Sequence, residues 1–171
     1  MGRLVTSVTM ALLALLAIAG SAAATHSGGK GARHDRVAGT GAIDTPVTPF
    51  GPVFVKLHVN AKSGPFGTAP RGKVVFRGNP PPIGDIDIKG RVTCLNVVGN
   101  QAIVGFEITK AKAGPIPEGA GGIFSILDSG EPGTADAFEG GPLPVPPTIC
   151  PLFPATRTLT QGNFIVHDAT G

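Results

Sequence analysis

The sequence predicts an all-β protein: a single antiparallel β-barrel or closed β-sandwich of about eight strands. Three observations carry that expectation. Apolar and polar residues alternate with period two over residues 53–61, 86–94 and 102–108, as in strands with one buried face. Gly (26) and Pro (17) are abundant, which suits a chain of many turns. Its 42% hydrophobic residues make it too apolar for a disordered one. No stretch shows a helical period. A barrel is preferred over a sandwich, because sequential hairpins with short turns favour an up-and-down meander.

Met1-Gly2-Arg3, the apolar run 10–19 and the small residues 20–24 are the parts of a secretory signal peptide, expected over 1–24. That run is short of the ~20 apolar residues of a membrane helix. Residues 25–36 are Gly-rich, polar and aperiodic, and are read as a flexible leader. A single domain is expected over 37–169, and no membrane span in the mature chain. The first clear strand turns Val53, Val55, Leu57, Val59 and Ala61 inward. A turn-rich stretch follows, and 73–77 (KVVFR) is a short strand closed by Gly78-Asn79-Pro80.

Ile86, Ile88, Gly90, Val92 and Cys94 share one face of the next strand, with Asp87, Lys89, Arg91 and Thr93 opposite. Val98-Gly99-Asn100-Gln101 reads as a tight hairpin turn. The return strand places Ala102, Val104, Phe106 and Ile108 on one side. Residues 123–127 and 137–139 are further strands, and 163–167 (NFIVH) the last. The proline-rich stretch 140–154 cannot be a central strand, since proline donates no ladder hydrogen bond. It is expected to wrap the surface in extended form.

Cys94 and Cys150 are the two cysteines. In an exported chain such a pair reads as a disulfide, here one that ties the proline-rich stretch to the strand of Cys94. The expected location is secreted and extracellular, with an envelope or extracellular partner. The formal net charge is +3. Basic residues are spread thinly, with Arg71, Lys73 and Arg77 the densest group and Lys89 with Arg91 the next. Trp and Tyr are absent, so no nucleic-acid partner is expected.

The best candidate for chemistry is the loop from Asp128 to Asp136, with three carboxylates close together and Gly130 and Gly133 to bend the backbone. If the chain takes a metal, calcium bound by Asp128, Glu131 and Asp136 is the expectation, since hard oxygen donors select it. The spacing is not that of an EF-hand, and a solvated acidic turn is the favoured reading. No other cofactor is expected.

His26 and His34 fall in the leader, while His58 and His167 fall on strands and read as surface residues. A hydrolase using His58 or His167 with a carboxylate is the least favoured alternative. No serine lies in a G-x-S-x-G elbow, and a glycosidase would lack its aromatic platforms. No catalytic residues are assigned. The expectation is a non-catalytic extracellular module with a structural, envelope-associated or binding role. The alternative is a carrier of a small apolar ligand inside a barrel, lined by Val55, Leu57, Val104, Phe106 and Phe164.

Three segments taken together, 92–102 (VTCLNVVGNQA), 127–133 (LDSGEPG) and 161–169 (QGNFIVHDA), resemble a group of short secreted β-proteins of actinobacteria and other soil bacteria, labelled with a post-COAP-type domain. The resemblance covers roughly 37–169. It implies export, a β-fold and no established activity, and it supplies no catalytic residues.

Overall fold

The period-two stretches become the strands of one antiparallel sheet. The computed structural model describes residues 34–45, 51–133 and 135–169. The expected signal peptide (1–24) and the leader as far as residue 33 lie outside the described residues. The strands are β1 (Asp35–Thr45), β2 (Val53–Ser63), β3 (Arg71–Gly78), β4 (Ile86–Val98), β5 (Gln101–Ala113), β6 (Gly121–Leu127), β7 (Ala137–Leu143), β8 (Arg157–Thr158) and β9 (Gln161–His167). Among the described residues the only helical segment is a 3-10 turn at Pro65–Gly67.

Strands β1 to β7 follow one another across the sheet as a meander, β8 continues beyond β7, and β9 pairs with β1 at the opposite edge. The sheet curls into a half-barrel. The last eleven strand-and-turn residues thus run from one edge of the sheet to the other. Leu159 N donates to Asp136 O and Thr160 N to Ala42 O on the way. Strand β1 begins two residues earlier than the expected domain: Arg36 lies opposite both Lys62 and His167.

The alternation buries what it should. Val55, Leu57, Val59 and Ala61 of β2 and Ala102, Val104, Phe106 and Ile108 of β5 all face one core. Five phenylalanines from five strands fill its centre. Phe76 and Phe124 have ring centroids 5.0 Å apart, Phe106 and Phe124 5.7 Å, Phe124 and Phe138 6.0 Å, and Phe138 and Phe164 6.3 Å. Contacts at these separations add to the burial itself. The Phe106 ring has room because glycines flank it on both neighbouring strands. A Cβ on Gly90 of β4 or Gly122 of β6 would collide with that ring.

Two expectations are corrected. Cys94 does not share the face of Ile86, Ile88 and Val92. The register slips between Val92 and Cys94, which lie opposite Phe106 and Gly105. Thr93 is therefore the extra residue of a β-bulge. Beyond it Leu95 and Val97 take over the core face, and Cys94 points outward to a second apolar cluster with Ile103 and Cys150. Strand β7 also runs further than expected, through Pro142, which lies opposite Gly122. It can do so because β8 covers only Ala137 and Phe138. Pro142 therefore sits on an open sheet edge, where its missing N–H costs nothing. The β4–β5 hairpin turns on Gly99 and Asn100 as expected, with positive φ (59°) at Gly99.

Candidate functional site

The acidic loop follows β6 because Leu127 ends the apolar run, and it reaches across the open side of β9. Strand β9 pairs with β1 through one set of its amides, so the alternate amides point away from the ladder. The loop's carboxylates take those. Phe164 N donates to Asp136 Oδ2 at 2.7 Å and Val166 N to Asp128 Oδ2 at 2.9 Å. The second oxygens stay within the loop: Ser129 N donates to Asp136 Oδ1 and Gly130 N to Asp128 Oδ1. Glu131 accepts from Asn163 Nδ2 at 2.9 Å.

Asp136 is 0% exposed. A buried carboxylate on two backbone amides makes charge-assisted bonds stronger than neutral ones, and one of those amides is the outward Phe164 N of β9. The loop is in effect the missing strand partner at this seam. Among the described residues no group of three or more His, Cys, Asp or Glu side chains is placed to hold a metal ion.

Asp35 does similar work at the start of β1. It is 2% exposed and accepts from Ala169 N, Gly67 N and Ser63 Oγ. The segments 92–102, 127–133 and 161–169 also converge at the seam. Gly99 N donates to Asp168 Oδ2, Asn100 Nδ2 to Asp128 O, and Asp128 N to Asn100 O. Three stretches far apart in the chain thus form one hydrogen-bonded closure.

Cys94 and Cys150 are joined, with Cα atoms 5.8 Å apart. Residues 144–156 lie as a strap over the outer face of β4, β5 and β6. Thr93 Oγ1 donates to Pro147 O, Asn96 Nδ2 to Cys150 O, and both Gln101 Nε2 and Ser125 Oγ to Phe153 O. Glycine again provides the clearance. A Cβ on Gly105 would meet Pro147 and Cys94, and one on Gly121 would run into the backbone of Val145 and Pro146.

His58 Nδ1 is 2.8 Å from Thr40 Oγ1. Among the described residues no hydrogen bond links a serine to a histidine. The hydroxyls of Ser63, Ser125 and Ser129 are given to Asp35, Phe153 O and Ala135 O. The interior positions named for an apolar ligand, Val55, Leu57, Val104, Phe106 and Phe164, all belong to the packed core. A hollow of about 400 Å³ opens at one end of the half-barrel, between Val53, Val55 and Phe76 on one side and Phe138 on the other, with Ile83 and the Glu139–Arg157 ion pair also in its lining.

The outer face of β9, β1, β2 and β3 carries a feature that sequence reading missed. Cross-strand registers align His167, Arg36, Lys62 and Arg71 in one row over four strands. In the next row Lys73 lies beside Asn60 and Arg91, and beyond it Lys89 faces Lys110. An open basin of about 880 Å³ runs over this face between His34, His58, His167, Arg36 and Lys62. A second trough of about 630 Å³ continues it over β3, β4 and β5, sharing Arg71 and Lys73.

Neither hollow is lined by an acidic residue. Together they gather seven of the chain's 14 Lys and Arg. Among the described residues, ion pairs join Arg77 to Asp87, Arg91 to Glu107 and Arg157 to Glu139. Arg36, Lys62, Arg71, Lys73, Lys89 and Lys110 take part in none of these pairs. In sequence these cations look dilute, because period-two alternation separates each from the next by a buried residue. Pairing the strands stacks them. The legible signal was the recurrence of Lys or Arg at alternate positions on adjacent strands.

No protein-family model, curated protein or solved structure matches the chain.

Proposed function

We propose that this is a secreted, non-catalytic binding module whose working surface is the cationic outer face of β1–β3, and that its partner is anionic. Like charges directly opposite one another across strands are destabilising. Arg36 beside Lys62, and Lys62 beside Arg71, form such a series with no carboxylate among them. That juxtaposition is the observation that carries the reading, because it lowers stability unless something negative neutralises it. The disulfide and the signal-like first 24 residues support export, since disulfides persist outside the reducing cytoplasm. Among the described residues no helix is long and apolar enough to cross a membrane.

Retention of the folded chain on immobilised polyphosphate, a generic polyanion, tests the reading. The Lys62→Ala/Arg71→Ala/Lys73→Ala variant is expected to elute at clearly lower salt than the wild type. Equal elution would contradict it.

A second reading, a carrier of a small apolar ligand, has its own observation in the hollow beside Phe76 and Phe138. An aliphatic probe added to the isotope-labelled chain should shift the side-chain NMR signals of Ile83 and Phe138, which line that hollow. Unshifted signals would remove the carrier.

A further inference from the structure

The binding reading leaves the chemistry of the anion open, and the shape of the face narrows it. We infer that the partner is a linear acidic polysaccharide, lying across the strands from β9 towards β5. This inference rests on the binding reading above and adds the ligand class.

Charge comes first. A chain crossing β9, β1, β2 and β3 meets His167, Arg36, Lys62 and Arg71 in turn, one side chain per strand. Strands are ~4.8 Å apart, close to the length of one pyranose unit in an extended glycan. A glycan with one acid group per unit therefore meets a basic group at each strand. Past β3 the second trough adds Lys89 and Lys110, displaced along the strands from the Arg71 row because Lys89 lies opposite Val75.

Neutral hydrogen-bonding groups sit among the cations. Asn60 lines the basin and Thr109 the second trough, which suits a polymer rich in hydroxyls.

The other polyanions fit less well. The basin is lined by no Phe, Trp or Tyr and no large apolar side chain. Single-stranded nucleic acid is held by base stacking on aromatic rings, and the basin itself offers only the imidazoles of His34, His58 and His167, the exposed Phe54 and Phe66 lying outside its lining. The core lies on the concave side of the curled sheet, so the cationic side is convex. A convex surface touches a duplex or a planar bilayer over a small patch, whereas a thin flexible chain can follow it. Neutral glycans are held largely by aromatic platforms, so charge is the main handle here.

Equilibrium binding of the folded chain to five probes tests the inference: a heparin octasaccharide, an oligogalacturonate, a neutral dextran, a duplex DNA and phosphatidylglycerol vesicles. The two acidic glycans are expected to bind saturably, with affinity that falls as salt rises, and the dextran not at all. DNA and vesicles are expected to bind roughly tenfold more weakly or worse. The Lys62→Glu/Arg71→Glu variant should lose about tenfold in glycan affinity, and Lys62→Gln/Arg71→Gln less. Unchanged circular dichroism would show that the fold survives in both. Wild-type binding to none of the probes would overturn the cationic-face reading itself. DNA or vesicles binding as tightly as the glycans would keep that reading and overturn the polysaccharide. Glycan binding unaffected by either variant would overturn the site.

Discussion

The outer face of the sheet is two surfaces with opposite treatments. Over β4–β6 it is roofed by the strap 144–156, fixed by a disulfide and four side-chain hydrogen bonds to strap carbonyls. Its residues there are small or neutral: Gly105, Gly121, Ser125, Ile103. Over β1–β3 the same face is bare and carries Arg36, Lys62, Arg71 and Lys73 without acidic neighbours in the basin. A sheet that needed only to be soluble would mix signs, as β4 and β5 do with Arg91 and Glu107. The difference teaches that the roofed half supplies stability and the bare half gives some up, which is the signature of a surface kept for a partner.

The largest effect should come from unfastening the roof. The bridge closes a separation of 56 residues, and the chain-entropy model gives such a loop roughly 4 kcal/mol. Cys94→Ala/Cys150→Ala is expected to lower unfolding stability by about that much in urea titrations. Polyanion retention should stay intact, since the bare half does not touch the strap. Loss of retention in a variant that still folds would break the division into two surfaces.

The seam comes next. Asp136→Ala strands two amides, those of Ser129 and Phe164, at a cost of roughly 3 kcal/mol. Asp136→Asn keeps one acceptor oxygen and should lose less. Because both oxygens of Asp128 and of Asp136 already accept amides, millimolar calcium or chelator should leave the wild-type melting temperature unchanged. A calcium-dependent rise would instead make the loop a metal site.

Smaller again is Gly121→Val, which pushes the strap backbone away from β6. It should cost ~1–3 kcal/mol and speed proteolysis near Val145. The smallest expected change is a gain. Lys62→Ala removes a like-charge neighbour of both Arg36 and Arg71, and should raise stability by roughly 0.2–1 kcal/mol. A loss would mean that the cations are held in favourable arrangements after all.

Much of the fold was legible because alternation is a local property. Val55, Leu57 and Val59, or Val104, Phe106 and Ile108, announce their face without reference to any partner. The position of Cys94 was not legible. Alternation counts every residue, and the bulge at Thr93 inserts one that the partner strand does not match. The carboxylates of the acidic loop were visible as a group, but their acceptance of β9 amides depends on how the curled sheet brings β9 beside the β6–β7 loop. The cationic face was hidden for a related reason. Lys62 and Arg71 are nine positions apart in sequence and adjacent in the sheet, and only register reveals the row.

An NMR titration of the isotope-labelled chain with the heparin octasaccharide tests most directly whether the bare half is the binding surface. Amide shifts should concentrate at Arg36, Lys62, Arg71 and Lys73, with the strap and the Asp128–Asp136 seam silent. Shifts centred on the strap, on the seam or on the hollow beside Phe138 would contradict the assignment of the binding surface.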